Sequence, residues 1–396
     1  MSRSPATRPR GPFASVRPSY LILLTAAPFV VYLFLTADSY QRALRFLAPG
    51  IGTTILVAVI AYVAASILGL VLAGLQMLRQ GPRTVAWFAG AGGLLLLAGL
   101  VAFTRPHAQY SLVGSEGGLV AIVRGTPQGL SDTIRRGEYP NAGEPLSVRA
   151  VTDVAAGIER LESGVVVAAF LPSDNLPAGY PVIWEIGFLP PDVRGAAILF
   201  TVFGAFAGAL AVAAYSSGHH PLRIVSELYV DLMRGIPMLV VILYVGFPLQ
   251  GAIREATGGF IDMSRVTRGI VGISLGYAAY MAEIFRAGIE AVSSGQIEAS
   301  RSLGLSNWQT ARHVVLPQAL RIVVPPLGNE FIAMLKDTSL LSVLSVRDIT
   351  QRAREFQAST FEVFPPFNTV AVMYIVLTLM ASSLAKTAER RASWTR

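Results

Sequence analysis

Hydrophobic runs long enough to cross a bilayer, which takes roughly twenty residues, occur near 20–36, 51–78, 85–103, 194–216, 229–249, 267–290, 318–344 and 367–386. Each predicts a membrane helix. The pattern changes between the third and fourth runs, where a long polar stretch covers 104–192. Leu119 to Val123 and Ser147 to Val151 read as strands, and the apolar run Val165 to Phe170 reads as a buried strand. A helical pattern follows Thr126, and Asp153 to Glu162 puts Val154, Ile158 and Leu161 on one face. That order predicts βαβ units and a small parallel sheet. Pro190-Pro191 forms a stiff hinge into the fourth run.

Basic residues orient the runs, because cytoplasmic flanks carry an excess of arginine and lysine. Arg3, Arg8, Arg10 and Arg17 precede the first run and place the N-terminus inside; no clean small-residue cleavage site follows, so this run reads as an anchor. Alternation then puts Arg79 and Arg83, His219, His220 and Arg223, Arg301 and Arg312, and Arg390, Arg391 and Arg396 on the cytoplasmic side. Arg42 and Arg45 fall outside, against the rule. The 104–192 stretch is extracytoplasmic and both termini are cytoplasmic in this topology.

Composition fits a polytopic α-helical membrane protein: 53% of residues are hydrophobic and 14% charged, against about 25% charged in a soluble domain. The net charge of +8 comes almost wholly from arginine at the chain ends and in short loops, which reports orientation rather than nucleic-acid binding. Cysteine is absent, so neither a disulfide nor a thiolate metal site can form. His107, His219, His220 and His313 lack metal-ligand spacing. The two lysines, Lys336 and Lys386, follow Leu335 and Ala385, so the Gly-Lys-Ser/Thr of a nucleotide-binding loop is missing. If ATP drives this protein, another chain must hydrolyse it, and no cofactor is expected in this one.

The segment 295–317 is a polar helix–turn–helix between two hydrophobic runs. Leu303-Gly304 marks a helix stop, since glycine accepts the left-handed conformation, and Ser306 with Gln309 makes a capping-box pair that starts a second short helix. Trp308, Ala311 and Val315 then recur at helical spacing as one apolar stripe, with Asn307, Arg312 and His313 off it. Leu316-Pro317 returns the chain to the membrane, proline being tolerated in a first helical turn. Glu298-Ala299-Ser300, three residues, Gly304, nine residues and Val314-Val315-Leu316-Pro317 resemble the coupling loop of importer-type ATP-binding-cassette (ABC) permeases. Ser300 replaces the loop's second alanine and Val314 its isoleucine. The resemblance implies that Glu298, Ala299, Gly304, Leu305, Trp308, Arg312, Leu316 and Pro317 serve docking on an ATPase.

From Val193 onward the chain resembles the polar amino acid branch of these permeases, and the second run, with Thr53-Thr54, resembles the branch's opening helix. Asp231, Arg234, Gly235 and Pro237 match its Glu-x-x-Arg-Gly-x-Pro signature, and Asp231 can pair with Arg234 on one helical face. Ala279-Tyr280-Met281-Ala282-Glu283, Arg286 and Gly288 match a second run, and Lys336 to Leu340 match its Lys-Asp-Thr-Ser-Leu. Glu283, Arg286 and Glu290 are spaced to neutralise one another along a helix. Counting from Gly295 at about 1.5 Å per residue, Glu283 lies roughly 18 Å above the coupling loop, near mid-bilayer. Val324-Pro325-Pro326 removes two amide donors and predicts a break in the seventh run. Beyond it, Asn329, Lys336, Thr338 and Ser339 supply donors for a zwitterion's carboxylate, while Glu283, Glu330 and Asp337 supply acceptors for its ammonium. Alternatively Lys336 and Asp337 close a structural ion pair.

The expected organisation is a basic cytoplasmic N-terminus at 1–19, three membrane helices in 20–103, an α/β insertion at 104–192, a five-span type I permease core at 193–389 and a tail at 390–396. Part of the insertion, from Thr152-Asp153 through Ser163-Gly164 to Phe170, weakly resembles a lobe of a periplasmic solute-binding protein. Arg124-Gly125-Thr126 can hold a carboxylate or make a loop salt bridge. The resemblance implies a multi-pass permease of the inner membrane that imports polar L-amino acids. Its implied partners are a second permease subunit, a solute-binding protein, and an ATPase dimer that binds ATP and Mg. Methionine, a polyamine or an opine are rival cargoes; a membrane receptor with an outer sensing domain and a passive channel are rival classes.

Overall fold

The computed structural model describes residues 28, 31–81, 83–105, 108–140, 145–189, 191–257 and 259–393. The basic N-terminus at 1–19, all of the first predicted run but 28 and 31–36, His107, Pro190 and Arg396 lie outside the described residues. Two compact units form, one from residues up to Leu78 together with Val225–Arg396, the other from Arg79–Ile224.

The first unit opens with α1 (Asp38–Leu47) and α2 (Pro49–Gln76), which form one apolar stretch of 39 residues. It resumes with α7 (Pro221–Gly235), of which the residues from Val225 belong to this unit, then α8 (Met238–Tyr244), a π-helical turn Val245–Leu249, and α9 (Gln250–Ala256). Then come α10 (Arg265–Glu290), α11 (Ser294–Ser302), α12 (Asn307–Thr310), a second π turn Ala311–Val315, and α13 (Leu316–Asp337). A 3-10 segment Thr338–Leu344, α14 (Ile349–Thr360) and α15 (Phe364–Ser393) close it. Its core is α2 laid along α10. Val57, Ala61 and Ala65 are buried with Ile242, Ile273, Tyr277, Met281 and Met334. Small residues let the two backbones approach, as packing without water to expel requires: a Cβ at Gly69 would lie 2.5 Å from Met281 Cβ. Polar groups hold the register. Ser274 Oγ donates to the Ala61 carbonyl at 3.3 Å, Tyr62 OH to Leu327 O at 3.1 Å and Ser226 Oγ to Leu72 O at 2.9 Å.

The second unit is a membrane hairpin bearing a small head. Its helices α3 (Thr84–Phe103) and α6 (Pro191–Ser217) pack through glycines: a Cβ at Gly92 would meet the Gly208 amide at 2.9 Å, and one at Gly99 the Thr201 hydroxyl. Their outer faces expose Trp87, Leu94, Phe203 and Val212, as lipid contact demands. An isolated antiparallel bridge between Arg79 and His219 draws the unit's ends together. The head holds β1 (Ala108–Gly114), β2 (Leu119–Val123), α4 (Gln128–Arg136), β3 (Ser147–Val151), α5 (Val154–Glu162), β4 (Ala168–Pro172) and β5 (Val182–Phe188), with sheet order β3-β2-β4-β1-β5. The βαβ expectation holds for β2, which runs parallel to β3 and β4. The sheet is nevertheless mixed, because β1, antiparallel to β4 and β5, and β5 itself were absent from the sequence pattern. Asp153 caps α5 by accepting from Ala156 N at 2.8 Å.

Three expectations change. Among the described residues, five stretches are long and apolar enough to cross a membrane: Asp38–Gln76, Thr84–Phe103, Val193–Ser217, Met238–Ala256 and Phe364–Arg391. The runs predicted near 267–290 and 318–344 do form long helices, α10 and α13, but these carry Glu283, Arg286 and Glu290, and Glu330, Lys336 and Asp337. The fifth run, predicted at 229–249, is divided: α7 ends at Gly235, Pro237 is extended with ψ 136°, and the span starts at Met238. Proline at 237 has no amide to continue α7. Finally, α13 is not broken at Pro325-Pro326 but runs on to Asp337. Proline's fixed φ suits a helix, and the regular turns on either side carry it through the missing donors. The departure comes later, in the 3-10 segment that ends at Ser345 with φ 56°.

Candidate transport pathway and coupling element

The coupling segment folds as its residues dictate. α11 ends in a Schellman motif: Gly304, at φ +81°, donates to Arg301 O at 2.9 Å and Leu305 donates to Ser300 O at 3.2 Å. The capping box is complete, with Gln309 N donating to Ser306 Oγ at 3.3 Å and Ser306 N to Gln309 Oε1 at 2.8 Å. Sequence reasoning missed the joint between the two helices. The Ser300 and Thr310 hydroxyls, both buried, lie 2.9 Å apart. A hydroxyl in place of the loop's usual alanine was the only signal. Glu298, Ala299 and Arg312 are exposed, Leu305 is half-buried, and Leu303 and Trp308 stand 83% and 72% exposed. Large apolar side chains held out on a rigid elbow make this segment a candidate docking surface. Of the expected stripe, Trp308 and Ala311 are exposed, while Val315, at the end of the π turn 311–315, is half-buried. That turn runs straight into α13, so exposed Leu316 and Pro317 continue a helix rather than begin one.

Deeper in the unit, Arg234 does not pair with Asp231 on its own helix. Its Nη1 reaches across to Glu283 Oε2 on α10 at 2.8 Å, and its guanidinium sits 6.0 Å from the Tyr280 ring centroid. Arg286 pairs with Glu290 at 3.7 Å, leaving Glu283 to Arg234. Gly235 and Pro237 shape the end of α7, where a Cβ at 235 would meet nothing within 4 Å. The structural pair between Lys336 and Asp337 is absent, since adjacent helical residues do not face each other. Asp337 Oδ2 accepts instead from Tyr277 OH at 2.8 Å, a partner the sequence did not suggest, and Lys336 is exposed. Thr338 is buried and turned back to Leu335 O at 2.8 Å, while Ser339 and Glu330 are half-buried and Asn329 exposed.

Two cavities adjoin at Glu283. One of about 250 Å³ is lined by Gln76, Glu227, Asp231, Arg234, Glu283 and Arg286, and so offers both signs of charge. The other, about 320 Å³, lies between α10 and α13 and is lined among others by Tyr280, Glu283, Gly288, Pro326 and Glu330. Of the candidate path residues, the structure gathers Glu283, Arg286 and Glu330 here. Ionisable groups at membrane depth mark solute paths.

Comparison with known proteins gives the family. Residues 201–394 match the family described as binding-protein-dependent transport system inner membrane component. The probable amino-acid ABC transporter permease protein YckA of Bacillus subtilis (strain 168) is 38% identical over 172 residues, 43% of this chain and 72% of the relative. The glutamine transport system permease protein GlnP of Escherichia coli (strain K12) is 34% identical over 218 residues, 54% of this chain and 96% of the relative. A crystal structure of an amino acid ABC transporter with histidines is 38% identical, covering 43% of this chain and 77% of that one, with a TM-score of 0.39. The chain therefore belongs to the binding-protein-dependent transport system inner membrane components, and is a multi-pass permease subunit of an ABC importer.

Proposed function

We propose that this subunit carries polar L-amino acids inward and receives its mechanical work through residues 295–317. The observation that carries the coupling role is the exposed Leu303 and Trp308 on an elbow fixed by the Schellman turn, the capping box and the Ser300–Thr310 bond. Glu298, Ala299, Gly304, Leu305, Trp308, Arg312, Leu316 and Pro317 form the surface that an ATPase dimer, with its ATP and Mg, grips from the cytoplasm. A solute-binding protein delivers cargo from outside, and a second permease subunit completes the pathway; both termini lie in the cytoplasm. Amino acid cargo is supported by the names of the relatives and by the mixed-charge cavity, where Arg234 and Arg286 can receive a carboxylate and Glu227, Asp231 and Glu283 an ammonium. Asn329, Lys336 and Asp337 in the last turns of α13, with Thr338 and Ser339 in the 3-10 segment after it, are assigned to the same route. Closure of the ATPases biases the helices between outward-open and inward-open packings.

The test is uptake of labelled amino acids by proteoliposomes holding the assembled complex, with wild type and Gly304→Val compared. A β-branched residue at φ +81° is strained, although its Cβ would have open space. Uptake should fall while the subunits still co-purify. Undiminished accumulation and undiminished stimulation of ATP hydrolysis in the variant would refute the coupling role, and absence of any amino acid uptake by wild type would refute the cargo.

A further inference from the structure

The two cavities that meet at Glu283 differ in charge. In the smaller, Arg234 and Arg286 face Glu227, Asp231 and Glu283. In the larger, the charged lining residues are both acidic, Glu283 and Glu330, and the rest of the wall is Tyr280 with aliphatic side chains and Pro326. Glu283 is already neutralised by Arg234 at 2.8 Å. Glu330 has no ion pair among the described residues, although it is half-buried at membrane depth, where an unbalanced carboxylate is costly. A cavity whose charged lining residues are carboxylates, one of them without an ion pair, is complementary to positive charge, which a guanidinium or ammonium would supply.

Building on the amino acid reading above, we propose that the cargo is an amino acid with a cationic side chain and that Glu330 is the residue that selects it. The zwitterionic end occupies the mixed-charge cavity, and the side chain extends past Glu283 into the acidic one. Glu330 then receives the terminal charge while a neutral side chain of equal length leaves it uncompensated.

The experiment compares arginine with citrulline, which matches it in length but is neutral. Binding of each is measured by calorimetry to the purified permease–ATPase complex in lipid nanodiscs, without a solute-binding protein, so that selection arises in the membrane part. Wild type should prefer arginine by about tenfold, equivalent to about 1.4 kcal/mol. Glu330→Gln should weaken arginine and bring the ratio to about one, and Glu330→Asp, which keeps the charge, should retain most of the preference. Equal binding of arginine and citrulline by wild type overturns the inference and leaves amino acid cargo standing. So does a parallel loss of both ligands in Glu330→Gln with the ratio intact, since that is what a purely structural role would produce. Binding of neither by wild type overturns the amino acid cargo itself.

Discussion

Gly69→Ala adds one methyl group to α2 at its closest approach to α10. The new Cβ would sit 2.5 Å from Met281 Cβ, 2.9 Å from Ala282 N and 3.0 Å from Ala278 O. All three neighbours are backbone atoms or a Cβ, so no side-chain rotation clears the overlap and the helices must separate. Overpacking of this kind costs about 1–3 kcal/mol. Alanine also removes glycine's entropic penalty in a helix, worth about 0.5–1 kcal/mol in the opposite direction. Gly74→Ala on the same helix isolates the first effect, because a Cβ there meets nothing within 4 Å. The gain is common to both variants, so Gly74→Ala should be slightly stabilised and Gly69→Ala should fall below it by ~1–3 kcal/mol. Denaturation of the purified protein in detergent measures the difference. ATP-driven uptake should fall in Gly69→Ala alone, since α10 carries Glu283 and Arg286. Equal stability of the two variants would show that α2 does not lie against α10, and the assignment of the core's first span would be wrong.

Thr310→Val and Ser300→Ala each remove one partner of the buried hydroxyl pair that joins α11 to α12. A double-mutant cycle on thermal stability should give a coupling of about 0.5–1.5 kcal/mol, and stimulation of the ATPase should drop in both; additive effects would deny the joint. Replacing 79–224 with a short glycine-serine linker removes the hairpin and its α/β head while leaving α2 and the helices from 225 onward, which are tied by Ser226 Oγ and Leu72 O at 2.9 Å. This shortened chain should still insert and co-purify with its ATPase, and failure to do so while the full chain succeeds would show that the inserted unit is part of the core.

Local chemistry was legible where a few neighbouring residues suffice. Gly304 needed its positive φ, and Ser306 and Gln309 closed their box, because each depends on contacts within four residues along the chain. Pairing across elements was not. Arg234 was matched with Asp231 three residues away, but Glu283, 49 positions on by number, is the group that α10 brings to 2.8 Å. Tyr277 and Asp337 likewise meet only after α10 and α13 pack. Strands β1 and β5 escaped notice because each flanks the head at the edge of a membrane run, far in sequence from one another, and they pair only when the sheet is assembled.

Hydropathy and arginine placement by themselves determined a polytopic membrane protein, and the spacing from Glu298 to Pro317 carried its resemblance to the ABC permeases. They could not decide which helix opens the core, since the runs at 51–78 and 194–216 are both apolar and both glycine-rich. Continuity along the chain favoured the later one, and the family match also begins inside it. Packing decided otherwise: α6 closes on α3 within the inserted unit, while α2, from 146 residues before Val225 by the span 79–224, fills the place beside α10. Hydrophobicity puts a helix in the membrane but is nearly blind to its neighbour, because lipid is as apolar as any partner. Shape at Gly69, and the hydrogen bonds of Tyr62, Ser226 and Ser274, made that choice.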